Sequence, residues 1–442
     1  MQDYLITKKP LPALLIFALP MMIGNLFQQT YTMVDSAIVG RYVSEQALAA
    51  VGASSSLTNI FICVAIGGGI GASVIVSRYF GAGNFGRMKT ATSTAMLSFL
   101  IISLVLAVIG LCFSRSIMVL LNTPPESLDL ATQYLDIYFY GLPLLFMYNI
   151  ISSMFNALGK SKIPLVFLIF SSLLNVGLDY YMVTALHMGV AGVAWATFIA
   201  QGLSAVLSFF VFLREMKRLE GKASAVFDGG ELKTMARIAL PSVFQQSTVS
   251  IGMMLVQSVV NSFGAAALAG FSAGSRIESI CIVPMLAIGN SLSSYTAQNL
   301  GAGKPERVPQ GYRVATGMVL FFAALIGLVL QLFHEPIIRF FLEGNGSTLA
   351  LETGNAYLSF IGWFFCLIGF KMSVDGVLRG SGDMKMFTVA NFVNLTLRVV
   401  LSLTLAPRFG IAMVWYAVPI GWFVNWLISF LEYRTGKWKH VK

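Results

Sequence analysis

The sequence is poor in charged residues and in histidine. Of its 442 residues, 11% are Asp, Glu, Lys or Arg and three are histidine, whereas 57% are hydrophobic. Soluble domains carry charge on about a quarter of their residues. A soluble globular protein of this size is therefore excluded, and the composition predicts an all-α polytopic membrane protein.

Groups that catalyse reactions or hold resident metals are also scarce. The histidines (His187, His334 and His440) fall in predicted loops or in the tail, and no HExxH or GxSxG motif is present. The four cysteines lie in apolar segments without paired spacing, which indicates core packing rather than disulfides or a metal site. We therefore expect neither an enzyme nor a bound cofactor.

A glycine-rich run, AIGGGIGAS at residues 65–73, superficially resembles a phosphate-binding loop. It lies inside an apolar segment and no strand precedes it, whereas such loops connect a strand to a helix. Close packing of helices is the expected use of these glycines.

Twelve apolar segments are long enough to cross a bilayer as helices. The first is too long for the core of a signal peptide, so we expect it to remain as an uncleaved span. The predicted spans are 11–39, 50–78, 91–113, 131–157, 163–185, 189–213, 237–262, 277–300, 311–333, 354–378, 385–406 and 410–433.

The placement of Lys and Arg predicts the orientation of these spans. Most of the 29 basic residues fall in loops on the side of the N-terminus, and the opposite loops hold only Arg41, Arg115, Arg276, Arg339 and Arg408. Cytoplasmic loops carry such an excess, so both termini are predicted to be cytoplasmic in the plasma membrane. The net charge of +10 then reflects topology and contact with anionic lipid, and no nucleic-acid partner is expected.

The two halves of the sequence resemble each other at offsets of about 220 residues. ALP occurs at 18–20 and 239–241, and three further pairs follow in the same order: QALAAVGAS and AALAGFSAG, RYFGAGNFGR and QNLGAGKPER, FNALGKSK and LRGSGDMK. Six spans per repeat make the repeats parallel. We expect two six-helix lobes, 1–213 and 237–442, joined by a polar cytoplasmic linker, 214–236, around the central cavity of an alternating-access carrier.

Polar side chains within the first lobe suggest an ion site. Asn175 and Asp179 lie one helical turn apart, and Asp35 and Thr197 fall at a similar depth in neighbouring spans. Two carboxylates close together in low dielectric take up a proton or hold a cation, and oxygen ligands suit Na+. The predicted site is therefore Asp35, Asn175, Asp179 and Thr197. The alternatives are an interfacial position for Asp35 and hydrogen bonding between helices for the other residues.

The second lobe does not repeat this pattern, since Arg398 stands where the repeat places Asn175, and Ser402 stands where it places Asp179. Lys371 and Asp375 are spaced to neutralise each other, and Glu278 is expected either to pair with Arg276 or to serve as a gate. We therefore expect the coupling ion in the first lobe only. The candidates for substrate binding or gating are Pro20, where the first span is expected to bend, and Gln28, Tyr31, Glu278, Lys371, Asp375 and Arg398.

Several stretches in order resemble the multidrug and toxic compound extrusion (MATE) family, in particular its DinF-like branch: ALP, MVDSAIVGR, the two GAG loops, SRIES and LRGSGD. The resemblance covers nearly the whole chain. It implies efflux of cationic, lipophilic compounds driven by Na+ or H+, with the ion held by residues that match Asp35, Asn175, Asp179 and Thr197. It also matches the first-helix proline to Pro20.

The NorM-like branch of that family uses acids in its seventh and tenth helices. Here the seventh span offers only Gln245, Gln246 and Gln257, and Asp375 does not clearly match. The leading hypothesis is a monomeric antiporter for small cationic compounds. The alternatives are a flippase or exporter of lipid-linked or other amphiphilic metabolites and, from another class, a membrane-embedded enzyme or receptor.

Overall fold

The computed structural model describes residues 4–43, 45–121, 123–342 and 347–440, and within them all regular secondary structure is helical. Fourteen α-helices and two short 3-10 helices follow one another in these residues. The α-helices are α1 (Tyr4–Thr7), α2 (Pro10–Tyr42), α3 (Glu45–Gly81), α4 (Phe85–Leu120), α5 (Pro125–Ala157), α6 (Lys162–Thr184), α7 (Gly189–Lys217), α8 (Gly229–Asn261), α9 (Ala265–Gly301), α10 (Arg307–Phe341), α11 (Thr348–Ile361), α12 (Phe365–Ser381), α13 (Met384–Phe409) and α14 (Ala412–Thr435).

Twelve helical segments in the described residues are long and apolar enough to cross a membrane. The short 3-10 helix Gly362–Phe364 joins α11 and α12 into one of them, Thr348–Ser381. The predicted all-α class and the twelve spans are thus confirmed. Several helices run beyond the predicted segments, as α4 does, because a helix can continue into the polar region after its apolar stretch ends.

The chain folds into two compact units whose boundaries fall inside α2 and α8. Unit 1 comprises Met1–Met22 and Phe244–Lys442, and unit 2 comprises Ile23–Val243. Each boundary lies two residues after the proline of an ALP sequence, Pro20 in α2 and Pro241 in α8. Both helices continue through these prolines and are shared by the two units. The repeat boundaries at 213 and 237 concern the sequence duplication and stay a prediction.

In unit 2, α5 packs against α3, α4 and α7, and α6 packs against α7. The glycine-rich run lies where α3 meets the first part of α8. A Cβ at Gly71 would come within 2.5 Å of the backbone nitrogen of Ala239, and one at Gly67 within 2.5 Å of the Val243 backbone. The prediction that these glycines serve close helix packing is confirmed.

The connection between α7 and α8 is held against unit 2 by hydrogen bonds. The Lys89 ammonium donates to the carbonyl oxygens of Leu219 and Gly221, at 2.7 and 2.8 Å. The buried Glu231 carboxylate accepts from the Tyr79 hydroxyl at 2.8 Å and pairs with Arg87 at 3.2 Å. The polar linker is therefore an ordered part of this unit.

Unit 1 repeats the same packing scheme. Its α12 packs against α9, α10 and α14, as α5 packs against α3, α4 and α7 in unit 2, and α13 packs against α14 as α6 packs against α7. Gly376 of α12 lies so close to α9 that a Cβ would be 2.4 Å from the Gly289 carbonyl oxygen. The N-terminal segment belongs to this unit, where Asn299 donates to the Leu5 carbonyl oxygen at 3.0 Å.

Candidate functional site

The buried face of α6 is polar, which reverses the usual pattern of an amphipathic helix. Its buried residues are Ser171, Ser172, Asn175, Asp179 and Val183. They recur at a spacing of about four and so form one stripe along the helix. Asn175 is 2% exposed and Asp179 is completely buried. The local sequence therefore directs an amide and a carboxyl group into unit 2, while the apolar residues face outward.

Hydrogen bonds join this stripe to α7 and α2. With the Asn175 amide assigned the orientation that satisfies its neighbours, its nitrogen donates to Asp179 Oδ2 at 3.0 Å and to the Tyr31 hydroxyl at 2.7 Å. Its oxygen accepts from the Thr197 backbone N–H at 3.1 Å and lies 3.2 Å from Thr197 Oγ1. Three of the four residues predicted for the ion site thus meet, and Tyr31, a predicted gating residue, joins them.

The remaining residues proposed on α2 are placed less fully. The Asp35 side chain lies outside the described residues, although the helix carries its backbone one turn beyond Tyr31. Gln28 is exposed.

A small cavity, with room for about one water molecule, adjoins Thr197 between α5 and α7. Its lining includes Tyr134, Tyr138, Phe198 and Gln201, none of which was predicted from the sequence. The Tyr138 hydroxyl donates to the Thr58 carbonyl oxygen at 3.2 Å, which fixes one aromatic wall. The sequence signal that could have found this lining is an i, i+4 spacing, which pairs Tyr134 with Tyr138 and Thr197 with Gln201. Aromatic residues are so frequent in this sequence that the spacing did not stand out.

Lys371 and Asp375 form a buried ion pair in unit 1, with 3.2 Å between the Lys371 ammonium and Asp375 Oδ2. The same carboxylate accepts from Ser429 Oγ at 2.8 Å and from Asn391 Nδ2 at 3.4 Å. The i, i+4 spacing predicted this neutralisation correctly.

The expected ion pair between Glu278 and Arg276 is wrong for the described residues. Residues two apart on a helix point in different directions, so Glu278 is buried while Arg276 is exposed. The Glu278 carboxylate accepts a hydrogen bond from the Tyr357 hydroxyl instead. Arg398 lies close enough to Glu278 for an electrostatic interaction.

The chemistry of the α6 stripe suits a proton or a hard monovalent cation. It combines a carboxyl group, an amide oxygen and hydroxyl oxygens, which are oxygen ligands of the kind that such ions prefer. In the part of the chain that the structure describes, no group of three or more His, Cys, Asp or Glu residues is arranged to hold a metal.

Comparison with known proteins shows the family of the chain. The family model MatE matches residues 20–181 and 241–404, which together span most of the chain. The chain belongs to the MatE family. The two matched ranges start at Pro20 and Pro241, the equivalent prolines of the two repeats. The predicted family is confirmed, and it is a family of multidrug efflux transporters.

Similar proteins are aligned over most of their length. The chain is 28% identical to the probable multidrug resistance protein YpnP of Bacillus subtilis, covering 98% of this chain and 96% of that protein. It is 26% identical to an FAD transporter of Shewanella oneidensis over 74% of each chain. The fold is similar to that of a MOP superfamily transporter from Pyrococcus furiosus, with a TM-score of 0.92, 22% identity, and coverage of 99% and 98%.

Proposed function

We propose that this MatE family member is a secondary antiporter of the plasma membrane, with both termini in the cytoplasm. It exports cationic, lipophilic compounds by alternating access in exchange for Na+ or H+. The coupling ion binds in the first repeat at Asp35, Asn175, Asp179 and Thr197. Relatives that are named multidrug resistance proteins support the export of drug-like compounds.

One observation carries the proposal: the completely buried Asp179 in a helix whose other face is apolar. A carboxylate at membrane depth is costly unless it binds a proton or cation or is well hydrogen bonded. Asn175 provides one hydrogen bond, and Thr197 holds Asn175 in position. Asp35 would bring a second carboxylate to the site from α2.

Ion occupancy changes the hydrogen bonds of this stripe. A proton on Asp179 turns an acceptor into a donor, so the Asn175 amide no longer donates to a charged oxygen. The Asn175 amide also contacts Tyr31, and the change therefore reaches α2. Pro20 lies on the same helix, at a point where one helical hydrogen bond is missing.

Substrate binding beside Thr197 would require this small cavity to widen, and its aromatic walls would then contact the organic part of the substrate. Tyr134, Tyr138 and Phe198 offer aromatic faces that attract flat cations. Because Thr197 both contacts Asn175 and borders the cavity, ion binding and substrate binding share one residue. A second candidate function, export of other amphiphilic metabolites, is supported by the relative that is named an FAD transporter.

Transport of a fluorescent cation into proteoliposomes under an imposed Na+ or pH gradient tests the proposal. Wild type and Asp179→Asn are compared, and Asp129→Asn is the control because Asp129 is an exposed acid in the same unit. We expect gradient-driven transport in wild type and Asp129→Asn, and none in Asp179→Asn. Full transport by Asp179→Asn, or transport that ignores both gradients, would refute the mechanism.

A sodium titration at constant pH separates the two ions. Saturable dependence on Na+ identifies sodium as the coupling ion. A rate that follows pH and ignores Na+ identifies the proton.

A further inference from the structure

The face of α13 that corresponds to the α6 stripe is also polar, but it carries a cation. Asn394, Arg398 and Ser402 follow one another at intervals of four residues. Asn394 is 8% exposed and Ser402 is 1% exposed. Asn394 Oδ1, Arg398 Nε and Ser402 Oγ are buried and have no hydrogen-bond partner among the described residues. Three consecutive turns of one helix therefore present buried polar atoms without a partner in the described part of the chain.

The Arg398 guanidinium is the main feature of this face. It lies at least ~15 Å from either end of α13, given a rise of 1.5 Å per residue. Its one hydrogen bond in the described structure runs from Nη2 to the Met253 sulfur, a weak acceptor, at 3.7 Å. Five N–H donors and a permanent charge at this depth favour an additional acceptor.

Glu278 does not provide that acceptor. Its carboxylate is bonded to the Tyr357 hydroxyl, and no hydrogen bond or direct ion pair joins it to Arg398 in the part of the chain that is described. Glu278 offsets the charge of Arg398 from nearby, but among the described residues the guanidinium donates to no oxygen acceptor.

The neighbouring helix is shaped to admit these side chains. A Cβ at Gly421 of α14 would lie 2.2 Å from Asn394 Oδ1 and 2.9 Å from Arg398 Cγ. Any residue other than glycine would displace both side chains. Because position 421 has no side chain, the α14 backbone packs directly against Asn394 and Arg398 without displacing them.

We propose that Arg398, assisted by Asn394 and Ser402, binds the carboxylate of an amphiphilic substrate. The planar guanidinium fork matches the two oxygens of a carboxylate, and the amide and hydroxyl groups can each turn a donor towards the same ligand. This assignment rests on the proposed export function and extends its substrates to zwitterions. The competing explanation is that Arg398 only neutralises Glu278.

Two rhodamine dyes with the same aromatic body distinguish these explanations. Rhodamine B carries a free carboxylate, and its ethyl ester is a permanent cation without one. Binding of each dye is measured by fluorescence anisotropy with the full-length protein in phosphatidylcholine nanodiscs. The variants are Arg398→Met, Arg398→Lys and, as the control, Arg408→Met, which removes an exposed arginine from the same helix.

We expect Arg398→Met to weaken binding of the acid by about tenfold, the size of one charge-assisted hydrogen-bonded contact, and to leave the ester unchanged. Arg398→Lys should restore part of the loss, since an ammonium lacks the fork. Arg408→Met should alter neither dye.

Equal weakening of both dyes by Arg398→Met, or no change for either, would overturn the proposal. So would a selective loss that appears only when the nanodiscs contain anionic phosphatidylglycerol, because a lipid phosphate would then be the ligand. If wild type binds the ester as tightly as the acid in nanodiscs and transports the ester in proteoliposomes, this inference is refuted but the proposed function is supported. Wild type that binds neither dye counts against both.

Discussion

The corresponding faces of α6 and α13 share a position in the repeat and differ in charge. α6 presents Asn175 and Asp179, which are hydrogen-bonded to each other, and Asn175 also forms hydrogen bonds with α2 and α7. α13 presents Arg398 and Ser402, with buried polar atoms that have no partner among the described residues. The two helices correspond in the sequence repeat and both have a buried polar face, but the residues on that face differ in charge. A shared fold does not imply a shared site.

The partner helices changed together with these faces. In the repeat, Tyr31 of α2 corresponds to Gly252 of α8. A Cβ at Gly252 would lie 2.3 Å from Leu395 Cδ1, so a leucine of α13 packs against the helix where the first repeat has the tyrosine side chain attached. The second repeat thus has neither the acid nor a tyrosine at the position that corresponds to Tyr31.

The largest effect is expected when the arginine that the second repeat has at position 398 is placed at the equivalent position of the first repeat, Asn175. In Asn175→Arg, a built-in guanidinium would neutralise Asp179, and we expect gradient-driven transport to fall below detection. Asn175→Leu serves as the comparison because it removes the amide without adding charge. Transport in proteoliposomes is the measurement, and wild-type coupling in Asn175→Arg would show that Asp179 does not hold the ion.

The next effect concerns stability. Lys371→Met would leave the buried Asp375 without its ion-pair partner, and we expect a loss of about 3–5 kcal/mol in unfolding free energy. The double variant Lys371→Met/Asp375→Asn should recover much of it, since no buried charge remains. Thermal unfolding in detergent at neutral pH reports both. Equal stability of the single variant and wild type would contradict a compensating role for Lys371.

A smaller effect is expected at Thr197. Thr197→Val keeps the shape of the side chain and removes an oxygen near the Asn175 amide, so the apparent affinity for a Na+ coupling ion should fall about fivefold. Thr132→Val is the matched control, because Thr132 likewise bonds the carbonyl four residues before it. Ion titrations of transport measure the difference, and an unchanged affinity would remove Thr197 from the site.

The smallest effect, on stability, is expected at Asp383, a second position at which the repeats differ in charge. Lys160, which pairs with Glu215, corresponds to Asp383, which lies near Glu432. Burial and then the charge of Glu432 raise the pKa of Asp383 above its usual value, against an opposing effect of Lys437. The folded state therefore favours protonated Asp383, and this contribution is fully present below the unfolded pKa and lost as pH rises through the folded pKa.

Asp383→Asn should accordingly raise the unfolding temperature slightly at neutral pH, and the gain should vanish in acid. Asp129→Asn, at an exposed acid, is the control. A variant less stable than wild type at neutral pH would contradict the raised pKa.

Much of the fold and part of the site could be predicted because they depend on local or periodic features. Span length, the offset of the repeats and the i, i+4 spacing of Asn175 with Asp179 are visible along the chain, and so is their similar depth to Thr197. The cavity residues Tyr134, Tyr138 and Phe198 were missed, because an aromatic residue in an apolar helix looks the same whether it faces lipid or the interior. The predicted ion pair between Glu278 and Arg276 was wrong because residues two apart in the sequence point in different directions on a helix.

The sequence by itself determined the membrane class, the number of spans, the duplication and the polar stripe of α6, since hydrophobic burial in a bilayer follows from length and periodicity. Only the tertiary structure decided which partners these polar groups have. Tyr357, the hydrogen-bond partner of Glu278, lies 79 residues away in the sequence. Gly421, which has no side chain, packs closely against Arg398 of another helix. Such contacts depend on how helices pack against one another, which no local pattern specifies.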